Sequence, residues 1–162
     1  MVMKKMVLKL FIATVFFAIS GSTFLIGMDN SVSYKGEVDF IRGSLAFELG
    51  SVNLKDPWAI SQTLFVLRRA EGFIDREVGM AATTKKKIEK AVAAIKNALE
   101  QMQKISSKEK RKQVAQVQLQ KLMSVQKSMH RGVFDVFKTP TEIKEALDIA
   151  LESFISNLKN VA

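Results

Sequence analysis

After residue 56, apolar residues recur every three or four positions, which is the period of an amphipathic α-helix. Four such stripes follow one another along the chain. They consist of Ile60, Leu64, Leu67, Ile74 and Val78; of Ile88, Val92, Ile95, Leu99 and Met102; of Ala115, Leu119, Leu122, Gln126 and Met129; and of Ile143, Leu147, Ala150, Phe154 and Leu158. The second stripe is heptad-like, as in coiled-coil helices that pack along a common seam. We therefore predict a mainly α protein, with an antiparallel bundle of about four helices over residues 56–162.

Local residues mark where two of these helices begin. Asp56 and Pro57 fit an N-cap followed by proline at the first helical position. Thr139 and Glu142 are three residues apart around Pro140, which matches a capping box. These signals place helix starts just before the first and fourth stripes.

The second and third stripes belong either to one long helix or to a hairpin of two helices, because no glycine or proline lies between Ala81 and Arg131. Continuing the second stripe reaches only polar residues, namely Ser106, Glu109, Gln113, Gln116 and Gln120. Ser106 and Glu109 also match a capping box. Lysines in a first helical turn each cost about 0.3 to 1 kcal/mol, whereas burying a large apolar side chain is worth about 1.5 to 3 kcal/mol. We therefore predict a turn near residues 104–108.

Residues 29–55 carry a different pattern. Glycines are spaced by seven residues, at Gly36, Gly43 and Gly50. Three large apolar residues alternate with other residues, at Leu45, Phe47 and Leu49. Alternation is typical of short strands, so we predict an irregular segment or a β-hairpin. A glycine-interrupted helix over residues 37–49 is the alternative.

The first 28 residues combine a basic start with an apolar run. Lys4, Lys5 and Lys9 are the only charged residues before Asp29. This arrangement is typical of a secretory signal peptide or an N-terminal membrane anchor. Residues 18–20 have the small-x-small form of a cleavage site, but residues 10–28 are also long enough to cross a bilayer. We expect a periplasmic or secreted protein, with anchoring by a retained N-terminal segment as the alternative.

Positive charge is concentrated in the middle of the chain, although the whole chain is also basic at +9. From Lys85 to Arg131 there are 13 basic and three acidic residues, a net charge of +10. Such a region attracts phospholipid head groups, anionic envelope polymers or nucleic acid, and export makes nucleic acid the least favoured. The alternative is an ordinary solvated face, partly neutralised by acidic residues of the last helix. The candidate anion-binding residues are Lys85, Lys86, Lys87, Lys108, Lys110, Arg111, Lys112, Lys127 and Arg131.

The usual residues of catalytic and metal sites are scarce. The chain has no cysteine, and His130 is its one histidine. This excludes disulfides, thiol nucleophiles and sites built from several histidine or cysteine ligands. Neither a nucleophile-elbow motif nor a Walker-type glycine loop occurs. We expect a protein that is not an enzyme and needs no metal or other cofactor.

These observations favour an exported, non-enzymatic binding or structural protein of the cell envelope. Its basic helical hairpin would contact a protein or an anionic partner, and homo-oligomerisation is compatible with the heptad-like stripe. The alternative is a secreted effector or lipid-binding helical protein that acts at anionic membrane surfaces.

The N-terminal interpretation predicts a shortened mature protein. After expression in a bacterium and fractionation, we expect the soluble exported protein to start near Gly21 or Thr23, because the small residues just before mark the cleavage site. N-terminal sequencing measures this directly. Intact Met1 in the membrane fraction would indicate an anchor, and intact protein in the cytoplasm would contradict export.

Overall fold

A computed structural model describes residues 30–77, 79–130 and 141–162. Over these residues the protein is mainly helical and forms no strand, which confirms the predicted α class. The helices are α1, made of Asn30–Phe40, a π-helical turn at Ile41–Leu45, and Ala46–Ser51; α2, Pro57–Arg76; α3, Ala82–Gln103; α4, Lys108–His130; and α5, Thr141–Lys159. Tyr34–Ala162 form a single compact unit, so the part of α1 from Tyr34 onward packs with the later helices.

Several sequence predictions lie outside the described residues. They are the signal or anchor at residues 1–28, Val78 of the first stripe, Arg131 of the candidate site, and the helix start at Thr139 and Pro140. Within the described ranges, none of the helices has both the length and the apolar character needed to cross a membrane.

The irregular segment or β-hairpin predicted within residues 29–55 is wrong, because Asn30–Ser51 form α1. Its buried residues follow a helical period, at Val38, Ile41, Leu45, Leu49 and Val52. Phe47 created the false alternation, since its side chain is 72% exposed and takes no part in the buried pattern. The alternative of a glycine-interrupted helix describes the segment correctly, and the helix extends beyond residues 37–49.

Helix α2 begins where the sequence predicted. Pro57 is the first helical residue, and the Asp56 carboxylate accepts a hydrogen bond of 2.9 Å from the backbone N–H of Trp58. This bond satisfies one of the backbone donors that a helix start leaves unpaired. The predicted apolar stripe is buried at Ile60, Leu64, Leu67 and Ile74.

The predicted turn between the second and third stripes is confirmed, because α3 ends at Gln103 and α4 begins at Lys108. The capping residue differs from the prediction. The backbone N–H of Arg111 donates to the carbonyl of Ser107, and the Ser107 hydroxyl donates to Glu109 at 3.3 Å. Ser107 therefore stands where the sequence suggested Ser106.

The buried stripe of α4 is also shifted from the prediction. It consists of Ala115, Gln118, Leu122, Val125 and Met129. Leu119 and Gln126, which the sequence analysis placed in this stripe, are half-buried. The predicted stripe was shifted because Gln118 is buried although its side chain is a polar amide. A prediction from hydrophobic periodicity assigns polar residues to the exposed face.

Helix α5 lies deepest in the protein and contacts α1, α3 and α4. The whole predicted inner face is fully buried, at Ile143, Leu147, Ala150, Phe154 and Leu158. The side-chain amide of Asn157 donates to the carbonyls of Leu49 and Val52, each at 3.0 Å. These bonds satisfy carbonyls at the end of α1 and tie that end to the last turns of α5.

Polar contacts also show which ends of α2 and α3 meet. The Lys85 ammonium donates to the backbone carbonyl of Asp75 at 2.9 Å. At the other end, the Gln103 amide donates to the carbonyl of Pro57 at 3.2 Å and to the Ser61 hydroxyl at 2.7 Å. The start of α3 therefore lies beside the end of α2, and its end lies beside the start of α2.

The helical assignment of α1 predicts that Gly36→Ala stabilises the protein. Gly36 is exposed, and a Cβ atom there would meet nothing within 4 Å. Alanine is favoured over glycine inside helices by about 0.5 to 1 kcal/mol, so the free energy of unfolding in urea should rise by that amount. Gly72→Ala is the matched control, because Gly72 lies in α2 with equally open space. A loss of stability at Gly36 beside a gain at Gly72 would contradict the helix.

Candidate anion-binding site

The predicted anion-binding residues fall into two groups on the α3–α4 pair. Lys85, Lys86 and Lys87 lie in the first two turns of α3, and Lys127 lies in the last turn of α4. The second group lies in residues 104–112, which we call the basic turn. The length of α3 separates the two groups by about 30 Å, at 1.5 Å per residue.

In the first group, Lys85 already takes part in a hydrogen bond that stabilises the fold. The Lys85 ammonium binds the carbonyl of Asp75, where a cation also complements the negative end of the α2 dipole. Lys87 is half-buried, whereas Lys86 and Lys127 are exposed. An acidic side chain also reaches this end of α4, since His130 Nε2 lies 3.1 Å from Asp148 Oδ2.

Arg111 stabilises the basic turn from within. Its guanidinium donates to the backbone carbonyl of Ile105 at 2.6 Å, and the side chain is half-buried. A charged donor to a carbonyl just after a helix end is a strong hydrogen bond. Arg111 thus holds the connection between α3 and α4, and its charge adds to the field of the turn.

The remaining lysines of the basic turn point to solvent. Lys108, Lys110 and Lys112 are exposed, and Lys104 is exposed beside them. The turn holds five basic residues and one acidic residue, Glu109, a net charge of +4. Lys104 was not among the residues predicted from the sequence, because only the position of the turn shows that it belongs with Lys108. The structure therefore brings together one dense cluster of positive charge rather than a continuous stripe.

Other kinds of site are less developed. Within residues 30–77, 79–130 and 141–162, no three histidine, cysteine, aspartate or glutamate side chains come together in a way that would hold a metal ion. An open groove of about 500 Å³ runs between α1, α4 and α5, with Gly50, Gln126 and Asn157 in its walls. None of the predicted anion-binding residues lines this groove.

Asp148 of α5 is half-buried beside His130 of α4, so the charged form of its carboxyl group is partly desolvated. Burial raises the pKa of its carboxyl group above the ordinary value, the charges of His130 and Lys144 lower it, and Glu152 raises it again. A raised pKa means that the folded protein holds this proton more tightly than the unfolded chain does. The contribution of Asp148 to the free energy of unfolding is therefore present at low pH. It is lost as the pH rises through the pKa that this carboxyl group has in the folded protein.

Asp148→Asn should remove this pH dependence. The stability of the variant relative to the parent should increase from about pH 4 to about pH 7, because only the parent then buries a charged carboxylate. Urea unfolding across that range measures the difference. His130→Gln should have the opposite effect, because His130 lowers the pKa of Asp148. Without His130, the free energy of unfolding should fall more steeply as the pH rises. Parallel curves for parent and Asp148→Asn would contradict this account.

Comparison with known proteins identifies no relative of this chain. No protein-family model, no curated protein and no solved structure matches it. What the protein does is therefore inferred from its own contacts, burial and charge.

Proposed function

We propose that this chain is an exported, non-enzymatic helical protein of the cell envelope that binds an anionic partner through the basic turn. Its helices form an antiparallel bundle, in which α3 and α4 make a hairpin with the basic turn at its tip. The export signal that the sequence predicts at residues 1–28 supports the location, and the charge of the turn supports the partner. The scarcity of catalytic motifs in the sequence supports a binding role.

The observation that carries this proposal is the exposed charge of Lys108, Lys110 and Lys112 at the start of α4. The positive end of a helix dipole lies at its N-terminus, so lysines in the first turn, here Lys108 and Lys110, cost about 0.3 to 1 kcal/mol each. A residue choice that opposes local stability is typical of a functional surface. Binding of an anion at this position would offset the cost, because the anion is attracted both by the lysines and by the helix dipole.

The alternative, an ordinary solvated surface, fits the first group better than the basic turn. Lys85 already binds a carbonyl, and Asp148 approaches His130 near Lys127. The basic turn has only Glu109 to oppose its charge. We therefore propose that the anionic partner binds mainly at the basic turn and that the first group contributes less to binding.

Replacing the three lysines should weaken binding to a soluble polyanion. The probe is long-chain inorganic polyphosphate at low salt, and the variant is Lys108→Gln, Lys110→Gln and Lys112→Gln combined in the full chain. Exposed charge pairs contribute about 0.2 to 1 kcal/mol each, so affinity should fall roughly 3- to 100-fold. Titration calorimetry measures the affinity, and circular dichroism checks that the helices remain folded.

The matched control replaces Lys35, Lys90 and Lys121 by glutamine, because these lysines are also exposed but lie outside both groups. Both variants lose the same net charge. The control should therefore bind nearly as well as the parent. Equal losses in the two variants would contradict a site at the basic turn, and so would an affinity that does not fall as salt rises.

A further inference from the structure

Helix α2 has a second face that the core does not use. Trp58 and Phe65 are 71% and 72% exposed, and they lie seven residues apart on the same side of the helix. We call this pair the aromatic stripe. Ile60, Leu67 and Ile74 are on the buried side of the same helix. Single exposed apolar residues are ordinary, but two large aromatic side chains in line form a patch of the kind that marks interaction surfaces.

The surroundings of the aromatic stripe are polar and charged, and they include two acidic residues, Asp56 at the backbone of Trp58 and Glu37 beside Arg69. Gln62 and Arg69 continue the same line along the helix, and residues 57–70 contain no acidic residue. The Arg69 guanidinium lies 4.1 Å from the centre of the Phe40 ring, and it pairs with Glu37 at 3.2 Å. More than half of the Arg69 side chain is still exposed. The stripe therefore combines exposed aromatic rings with a guanidinium that is more than half exposed although it pairs with Glu37.

The aromatic stripe and the basic turn lie at the same end of the protein. Gln103, the last residue of α3, binds the carbonyl of Pro57 and the hydroxyl of Ser61. Trp58 directly follows Pro57, and Lys104 directly follows Gln103. These two hydrogen bonds hold the first turn of α2, which contains Trp58, beside Lys104 of the basic turn.

A phospholipid bilayer is the anionic partner that matches both features. Tryptophan is enriched at the membrane interface, where its ring lies at head-group level, and lysine side chains bind anionic lipid phosphates there. Amphipathic helical surfaces with aromatic and basic residues bind such interfaces. A soluble polyanion offers phosphate or carboxylate groups but no apolar layer to receive Trp58 and Phe65.

We propose that the aromatic stripe and the basic turn together form a docking surface for anionic phospholipid bilayers. The lysines bind the head groups, while Trp58 and Phe65 enter the interfacial layer. This inference rests on the proposed function, because it specifies the chemistry of the anionic partner.

Trp58 reports on this surface without any label, because it is the single tryptophan of the chain. The full chain is mixed with vesicles of phosphatidylcholine and phosphatidylglycerol, and separately with vesicles of phosphatidylcholine alone. With the anionic vesicles we expect the Trp58 emission to move to shorter wavelength and to be quenched by lipids with brominated chains. The shift should weaken as salt rises, since charge attracts the protein to the surface.

Phe65→Ser tests the aromatic contribution. Removing a large apolar side chain that enters the bilayer should lower the partition coefficient about tenfold. Ile149→Ser is the control, because Ile149 is 44% exposed but faces the groove between α1, α4 and α5. It should bind like the parent. Both variants carry the same N-terminal segment, so any contribution of that segment to vesicle binding cancels.

The outcomes separate this inference from the proposed function. Binding of polyphosphate with no change of Trp58 emission on anionic vesicles would overturn the bilayer assignment and leave the anionic partner in place. Failure to bind polyphosphate and vesicles alike would overturn both. An equal emission shift on neutral vesicles, or equal losses for Phe65→Ser and Ile149→Ser, would overturn the joint docking surface.

Discussion

Burial of α5 is the constraint on which the rest of the structure depends. Its inner side chains lose all contact with water, so helices on several sides must cover them. Helices α1, α3 and α4 do so. Each large apolar side chain that leaves water contributes about 1.5 to 3 kcal/mol, which is far more than any surface ion pair in the protein can supply. The positions of α1, α3 and α4 follow from the need to enclose α5, whereas α2 packs on α1 and α3.

Polar contacts then order the ends of the helices. Asn157 joins the end of α1 to the last turns of α5, and Gln103 joins the end of α3 to the start of α2. The Asn157 bonds satisfy backbone carbonyls at the end of α1, where helical hydrogen bonding is incomplete, whereas the Gln103 bond reaches a carbonyl in the first turn of α2. As a result, the basic turn and Trp58 are held at one end of the protein. The bilayer docking surface that we propose depends on that placement rather than on any single residue.

The basic residues divide into those that stabilise the fold and those that remain available. Lys85 and Arg111 donate to backbone carbonyls, so each serves a helix end. Lys108, Lys110 and Lys112 face solvent at a helix start that disfavours them. A sequence selected only for stability would place acidic residues there. The difference between the two sets explains why a count of lysines alone does not locate a binding surface.

Much of the helical architecture was determined by the sequence itself. The stripes of α2, α3 and α5, the cap at Asp56 and the break near residue 104 all follow from local periodicity and local hydrogen bonding, which a linear chain displays directly. The segment of α1 was misread because periodicity cannot tell an exposed Phe47 from a buried one. The stripe of α4 was misplaced because burial of the polar Gln118 depends on its neighbours in space.

Only the tertiary structure decided how the candidate site is assembled. The sequence listed the lysines but could not show that Lys85 would be bound by the end of α2, or that Lys104 would join Lys108 at the tip of a hairpin. Nor could it show that Trp58 and Phe65 face outward, since their helix has apolar residues on both sides. Such facts depend on contacts between residues far apart in the chain. Sequence periodicity therefore determined which segments are helices, and the packing of those helices decided which of their side chains remain free to bind.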